Sequence, residues 1–254
     1  MQRLDVPTDL LAGCEAGDDL LLPEEQSHYV RDVLRMKAGE EVELFDGDGS
    51  LARTRLIAVD DEVIVEIEKL AESTRGESPI RCVLFQAIPK GKRWKWILEK
   101  ATELGVDAVV PLETKRTIVQ IPKQRLKRRM PRWEKILSSA TRQCERTVVP
   151  SISGPVALSE AAAQQPCDVH LIAHPTPGAP TPAQVLNDVE GPLGSVGIWI
   201  GPEGGFSDEE VQTLSEKGMR PVRLGPRILR ADTAGITALT LVQAARGDLG
   251  AHSE

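Results

Sequence analysis

The chain has 254 residues, 41% of them hydrophobic, enough for one large or two modest domains with a buried core. No apolar run approaches the length of a membrane span, and the N-terminal MQRLDVPTDL lacks the apolar centre of a secretory signal, so a cytoplasmic location is expected. The net charge of -7 argues against a nucleic-acid partner until its distribution is read: residues 81–149 carry 17 Lys/Arg against 6 Asp/Glu, the remainder 14 against 32, which describes a basic face on an acidic body.

Residues 1–72 read as a small β-rich unit. Alternation at Val42 and Leu44, at Leu56 and Val59, and at Val63, Val65 and Ile67 predicts strands, and Asp46-Gly47-Asp48-Gly49 is a hairpin signal. A helix is expected over about 24–36 after Pro23, with Tyr29, Val33 and Met36 near one face and Val30 and Leu34 beside them. The polar, turn-rich run from Ala71 to Pro79 marks a linker over 73–79.

From residue 80 to residue 250 strand and helix alternate, which predicts a second domain with a mostly parallel sheet flanked by helices. IRCVLFQAI is a strand. KRWKWILEKATELG is a helix with Trp94, Ile97, Leu98, Ala101 and Leu104 on its apolar face, stopped by Gly105. VDAVVPL follows as a strand, and then a long basic helix over 123–145, expected to break or restart near Pro131. DVHLIAH, SVGIWI and RPVRL are further strands. TPAQVLNDV, SDEEVQTLSEKG and ADTAGITALTLVQAARG are the helices between and after them.

Two loops follow strands and precede helices: Gly201-Pro202-Glu203-Gly204-Gly205-Phe206, and Leu224-Gly225-Pro226-Arg227-Ile228-Leu229-Arg230. On neighbouring parallel strands both fall at one sheet edge, the usual ligand crevice of α/β folds. Glycines let the backbone approach a ligand, and Ile228 and Leu229 can sandwich a flat base. Neither GxxxxGK[ST] nor GxGxxG occurs, so a Walker loop and a dinucleotide fingerprint are both unsupported. Asp208, Glu209 and Glu210 crowd the helix start, which suits a cationic ligand such as the sulfonium of S-adenosylmethionine better than a triphosphate. A tight turn without a ligand is the alternative.

The basic runs Lys123–Lys135 and Pro89–Trp96 suggest an RNA track, or else solvated helix faces; Trp94 should face the core and Trp96 the solvent. Arg230, beside Asp232 and Thr233, is the candidate catalytic group, its guanidinium able to steady developing negative charge; a structural ion pair to Asp232 or Glu203 is the alternative. His28 and His174 are assigned no catalytic role. Cys14, Cys82, Cys144 and Cys167 form no CxxC and do not cluster with histidines, so no metal is expected.

The segments IGPEGGFSDEE and LGPRILRADTAGITAL resemble the 16S ribosomal RNA uridine-N3 methyltransferases of the SPOUT superfamily. HYVRDVLRMKAGEEVELFDGDG resembles that family's PUA-like N-terminal domain, and KGKRWKWILEKATELGVDAVVPL the start of its catalytic domain. The resemblance implies a PUA-like β-barrel followed by an α/β trefoil-knot domain, a homodimer, and methylation of N3 of a uridine in the small ribosomal subunit. It implies an S-adenosylmethionine pocket from three segments: Leu171, Ala173 and His174; Ile200, Gly201, Pro202, Gly204 and Gly205; and Leu224, Gly225, Ile228 and Leu229, with Thr233 and Ala234 beyond. Arg230 would steady the uracil, and Glu203 would order the pocket or act as base. RNA would be held by Arg3, Arg31 and Arg35, by Lys90, Lys92, Arg93 and Arg116, and by Arg142 and Arg146. The chain departs from the family pattern at Glu145, where a glycine is usual, and at Ala231-Asp232-Thr233, where Thr-Glu-Thr is common. Ribose 2'-O-methylation, a non-catalytic RNA-binding assembly factor and a nucleotide hydrolase are the competing readings, the last weakened by the missing P-loop lysine.

Overall fold

A computed structural model of the chain describes residues 1–164 and 167–250. It divides into two units, Met1–Glu77 with Thr141–Val149, and Ser78–Ala140 with the chain from Pro150 onward.

The first unit is built on five strands: β1 (Gln2–Asp5), β2 (Asp19–Leu21), β3 (Glu41–Phe45), β4 (Ser50–Val59) and β5 (Val63–Glu72). Their order is β1-β3-β4-β5-β2, with β1 parallel to β3 and the other pairs antiparallel. Val63, Val65 and Ile67 alternate into the core, as a half-buried strand requires. The turn between β3 and β4 is pinned by Asp46, whose Oδ1 accepts the amides of Asp48 and Ser50, each at 2.9 Å. The ladder is open, and its two ends meet through side chains instead: Leu4 in β1 and Leu22 just after β2 share one core cluster.

The predicted helix over 24–36 has two windings. A short α1 (Glu24–His28) runs into a π-helical stretch, Tyr29–Leu34, which ends at Arg35 in the left-handed conformation with φ 54°. The wider winding shifts the face away from a 3.6-residue period. Val30 is fully buried and Val33, expected on the apolar face, is 56% exposed.

The polar run read as a linker is partly spent on a tie. The Glu77 carboxylate accepts Arg146 Nη2 at 2.6 Å and Nε at 3.1 Å, and the amides of Thr147 and Val148 at 3.0 Å each. Val148 forms a bridge to the Gly47-Asp48 turn, and the Val149 amide donates to Gly47 O at 2.8 Å. The segment 141–149 therefore completes the first unit, which a single boundary at 73–79 does not anticipate. Two arginines expected to hold RNA are consumed here. Arg3 is buried, its Nε 2.6 Å from Glu43 and its Nη2 donating to Arg146 O at 3.0 Å. Arg146 is 2% exposed against Glu77. A guanidinium spent on buried carboxylates is not available to a phosphate. Arg142 is engaged too, with Asp5 at 3.4 Å and the Tyr29 ring 5.1 Å below it, and Arg31 donates to the carbonyls of Asp60 and Asp61. Glu145 does adopt the glycine-like turn, with φ 64°.

The second unit takes its strands from β6 (Arg81–Ala87), β7 (Ala108–Glu113), β8 (Ser151–Ile152), β9 (Val156–Ala157), β10 (Val169–Ala173), β11 (Ser195–Ile200) and β12 (Arg220–Val222). The order is β12-β10-β11-β6-β7-β8, with β9 also on β7, and every pairing is parallel. β6 and β11 are buried along almost their whole length because helices cover both faces of a parallel sheet. Those helices are α2 (Arg93–Glu103), α3 (Lys123–Gln143), α4 (Leu158–Gln164), α5 (Pro182–Asn187), α6 (Asp208–Glu216) and α7 (Ala231–Arg246). β10 lies between β11 and β12, both of which follow it in the chain. The last third of the chain thus passes on both sides of one strand, the layout in which the threaded loop implied by the resemblance is made.

α3 runs unbroken through Pro131, against the expected break. Pro131 sits on the exposed side, so the Lys127 carbonyl it leaves unpaired faces water. Burial of Trp133, Leu137 and Ala140 on the other side offsets a penalty of about 3 kcal/mol, since a fully buried leucine alone contributes about 2 kcal/mol. Trp94 packs edge-on to Trp133 with ring centroids 5.7 Å apart, whereas Trp96 is 41% exposed.

Replacing Glu77 with alanine removes the carboxylate that accepts the buried Arg146 guanidinium and the amides of Thr147 and Val148. The expected cost is about 3–5 kcal/mol of unfolding free energy for the first unit, read from urea denaturation, with Glu77→Gln losing less.

Candidate active site

β10, β11 and β12 end at the same edge of the sheet, and the three segments that leave them, 173–175, 200–206 and 222–230, line two adjoining clefts. The larger, about 640 Å³, is walled by the first glycine loop, the 228–231 segment, Arg93 and Arg116. The smaller, about 100 Å³, lies between the 173–175 and 222–229 segments. They share Ala173, His174, Pro175, Ile228, Leu229 and Ala234, so they are two lobes of one site.

The first loop turns back on itself. A β-carbon on Gly201 would sit 2.8 Å from the Phe206 amide nitrogen and 2.9 Å from the Gly205 carbonyl carbon, so only glycine fits. Gly205 has φ +68°, and its amide donates to Pro202 O at 2.8 Å. The turn feeds a capping box: Ser207 Oγ accepts the Glu210 amide at 3.2 Å, and Glu210 Oε2 accepts the Ser207 amide at 2.8 Å. Glu210 is buried, and its other oxygen accepts the Lys115 amide at 2.7 Å. Glu209 pairs with the Lys115 ammonium, which holds its carboxyl below the usual range. Of the three acidic residues at the start of α6, only Asp208 therefore lines the cleft; the expected carboxylate-rich pocket reduces to Asp208 and Glu203.

Two side chains brace the loop, Arg116 from outside it and Glu203 from within it. Arg116 Nη1 donates to Gly204 O at 2.7 Å and to Phe206 O at 3.2 Å. Glu203 Oε1 accepts the Lys90 amide at 2.8 Å, joining the loop to the turn that precedes α2. Arg116 and Glu203 are thus positioning residues in this arrangement.

Arg230 sits at the N-cap of α7 and lines the larger cleft. Neither carboxylate offered as its structural partner takes it. Asp232 pairs with Arg93 at 3.4 Å and accepts the Thr233 amide at 3.0 Å, and Glu203 is held by Lys90. Among the described residues the Arg230 guanidinium makes no hydrogen bond or ion pair. Ile228 is 82% exposed, an apolar side chain with nothing over it.

Most residues expected at a cofactor site meet here: Ala173, His174 and Ala234 in both lobes, Ile200, Gly201, Pro202, Gly204 and Gly205 in the larger, Leu224 and Gly225 in the smaller, and Ile228 and Leu229 in both. Leu171 does not; it is 1% exposed inside β10, between Ile198 and Arg220. Thr233 is exposed on α7 and lines neither lobe. Pro175, Val222 and Arg223 line the site without having been expected there, although each stands at or just past a strand end, which is the signal that finds them. The Arg93–Asp232 pair had no such signal, being 139 positions apart.

A family model described as an RNA methyltransferase domain matches residues 76–243, and one described as an RNA methyltransferase PUA domain matches residues 22–68. Sheet, crevice and matches together define an RNA methyltransferase carrying a PUA domain. The ribosomal RNA small subunit methyltransferase E of Buchnera aphidicola (subsp. Acyrthosiphon pisum) is 32% identical over 229 residues, covering 89% of this chain and 88% of that protein. That of Bacillus subtilis is 30% identical over 223 residues, covering 86% and 87%. Among solved structures, the Neisseria gonorrhoeae ribosomal RNA small subunit methyltransferase E bound to S-adenosyl methionine superposes with a TM-score of 0.85 at 32% identity, covering 98% of this chain and 99% of that one. A Legionella pneumophila protein in complex with the bound cofactor SAM gives 0.85 at 38%, covering 97% and 98%. The chain belongs to the ribosomal RNA small subunit methyltransferase E family.

Arg116→Ala removes both bonds to the glycine loop. Amide exchange at Gly205 is expected to speed up about 5–10-fold, the equivalent of one net hydrogen bond, with the exchange of β6 amides unchanged.

Proposed function

We propose that this chain transfers a methyl group from S-adenosylmethionine to N3 of a uridine in 16S ribosomal RNA of the small subunit, as a cytoplasmic homodimer. The observation that carries the reading is the single crevice formed by both glycine loops with an unpartnered arginine at its edge. Family membership supports the reaction class, and the N. gonorrhoeae and L. pneumophila relatives were solved with that cofactor.

The site suits this cofactor on its own terms. A cleft of about 640 Å³ falls in the range of small-molecule sites. Gly201, Gly204 and Gly205 present bare backbone, Ile228 and Leu229 offer apolar cover for a flat base, and Asp208 and Glu203 place negative charge near a sulfonium. When bound, the cofactor supplies an electrophilic methyl group. The protein's own residues do the rest. The braced loop fixes distance and line of approach, which is where most of the acceleration of a displacement arises. The imide nitrogen of uracil must give up its proton, to solvent water, to become a nucleophile, leaving charge on the flanking carbonyl oxygens. Arg230, at the N-cap of α7 and with no ion-pair partner among the described residues, meets that charge. Glu203 keeps the crevice walls in register. Of the expected set, Lys90 and Lys92 are exposed and Arg93 half-exposed just before and at the start of α2, and Arg35 is exposed in the first unit; these are the cations offered to RNA, while Arg31, Arg116 and Arg142 are engaged by carbonyls or a carboxylate.

Incubation with labelled cofactor and small subunits from a strain lacking the activity, followed by nucleoside mass spectrometry, should yield N3-methyluridine. A ribose-methylated product would overturn the assignment. Arg230→Ala should lower transfer by about 100-fold or more, as loss of an oxyanion donor does. Cofactor affinity by calorimetry should stay within about twofold of the parent; a large loss of cofactor binding would contradict the role given to Arg230.

A further inference from the structure

α3 carries a charge pattern that neither the crevice nor the fold uses. Arg125, Arg128, Arg129 and Arg132 are all exposed, and none lines either lobe of the site. At 100° per residue they fall within an arc of about 100°, clear of the stripe that buries Trp133, Leu137 and Ala140. Each has two of the others three or four positions away, the spacings at which like charges repel on a helix. Among the described residues their guanidinium groups make no hydrogen bond or ion pair. Other surface arginines of this chain do pair: Arg53 and Arg55, for instance, share Glu41 and Glu68. With 38 acidic residues in the chain, leaving four arginines stacked and unneutralised is a feature of this helix and not of the composition.

From these observations we infer that the Arg125–Arg132 stripe grips the phosphate backbone of a structured RNA, at a surface outside the methyl-transfer crevice. The inference rests on the RNA-substrate reading above and adds a second point of attachment to it. Charge selects the partner, since a polyanion relieves the repulsion along the stripe and releases its condensed counterions on binding. The face also carries no aromatic group, because Trp133, the one aromatic residue of α3, is 5% exposed and turned inward. Without a stacking platform the stripe reads backbone and shape, not bases. It therefore adds affinity and register while the crevice selects the nucleotide.

The test replaces Arg125, Arg128, Arg129 and Arg132 together with glutamine, and separately with lysine, in the full chain. Exposed positions tolerate both changes, and far-UV circular dichroism checks the fold. Binding is measured against a small-subunit ribosomal RNA transcript and an unrelated folded RNA of equal length, over a range of salt. The glutamine variant should bind both RNAs about 30-fold or more weakly at 0.15 M salt, with the slope of log K against log salt reduced by about 2 to 4. The lysine variant should keep most of the slope. With the ribosomal substrate, KM should rise while kcat at saturating RNA and cofactor affinity stay at the parent values. Unchanged affinity and slope in the glutamine variant overturn the inference. So does a change of sedimenting mass with RNA binding intact, which would make the stripe a contact between protein chains. If the parent protein transfers no methyl group, the functional reading fails, yet the binding measurements still decide the stripe.

Discussion

At Gly201 the chain has no room for a methyl group, and the crevice depends on that. The strand β11 delivers the backbone to the sheet edge, and the loop folds back until the Phe206 amide lies where a β-carbon would be. This close return lays Gly204 and Gly205 open along one wall and brings Ser207 into position to cap α6. The same edge receives the ends of β10 and β12, so three segments distant in sequence converge without any of them needing to be long. A parallel sheet makes such convergence automatic, because every strand ends on the same side.

Around that loop the charges are sorted by engagement. Glu210, Glu209, Glu203 and Asp232 are each tied, to Lys115 and Ser207, to Lys115, to Lys90 and to Arg93 respectively. These ties leave the guanidinium of Arg230 unneutralised at the cleft. A cation whose neighbouring carboxylates are held elsewhere stays available to charge that appears only during reaction. On the proposed function, the tied groups bear on rate indirectly, by holding the walls and by staying off Arg230.

Much of this could be read from the residues alone, for reasons that are local. Strand alternation, the Asp46–Gly49 turn, the capping box at Ser207 and the two glycine loops are patterns written in neighbouring positions. What escaped was written across long separations or in unusual winding. Val33 looked apolar-facing because a period of 3.6 was assumed, and the π-helical turn rotates it outward. Pro131 looked like a break because propensity is a local rule, whereas Trp133 and Leu137 hold the helix together through tertiary burial. Arg3 and Arg146 looked like surface cations; Glu43 and Glu77, which bury them, stand 40 and 69 positions away. The acidic cluster Asp208–Glu210 looked like a ligand-facing wall, and two of its three members turn out to hold the loop's own supports.

The return of 141–149 to the first unit has a temporal side. During synthesis the N-terminal sheet emerges first, but Glu77 finds its donors and the Gly47 turn its bridge only after β6, α2, β7 and α3 have followed. Ribosome-bound chains cut short near residue 77 would hold a sheet with an open flank and an unsatisfied carboxylate. Maturation of the amino-terminal unit is in this way made to wait for nearly sixty per cent of the polypeptide, so the part that emerges first is not the part that can finish alone.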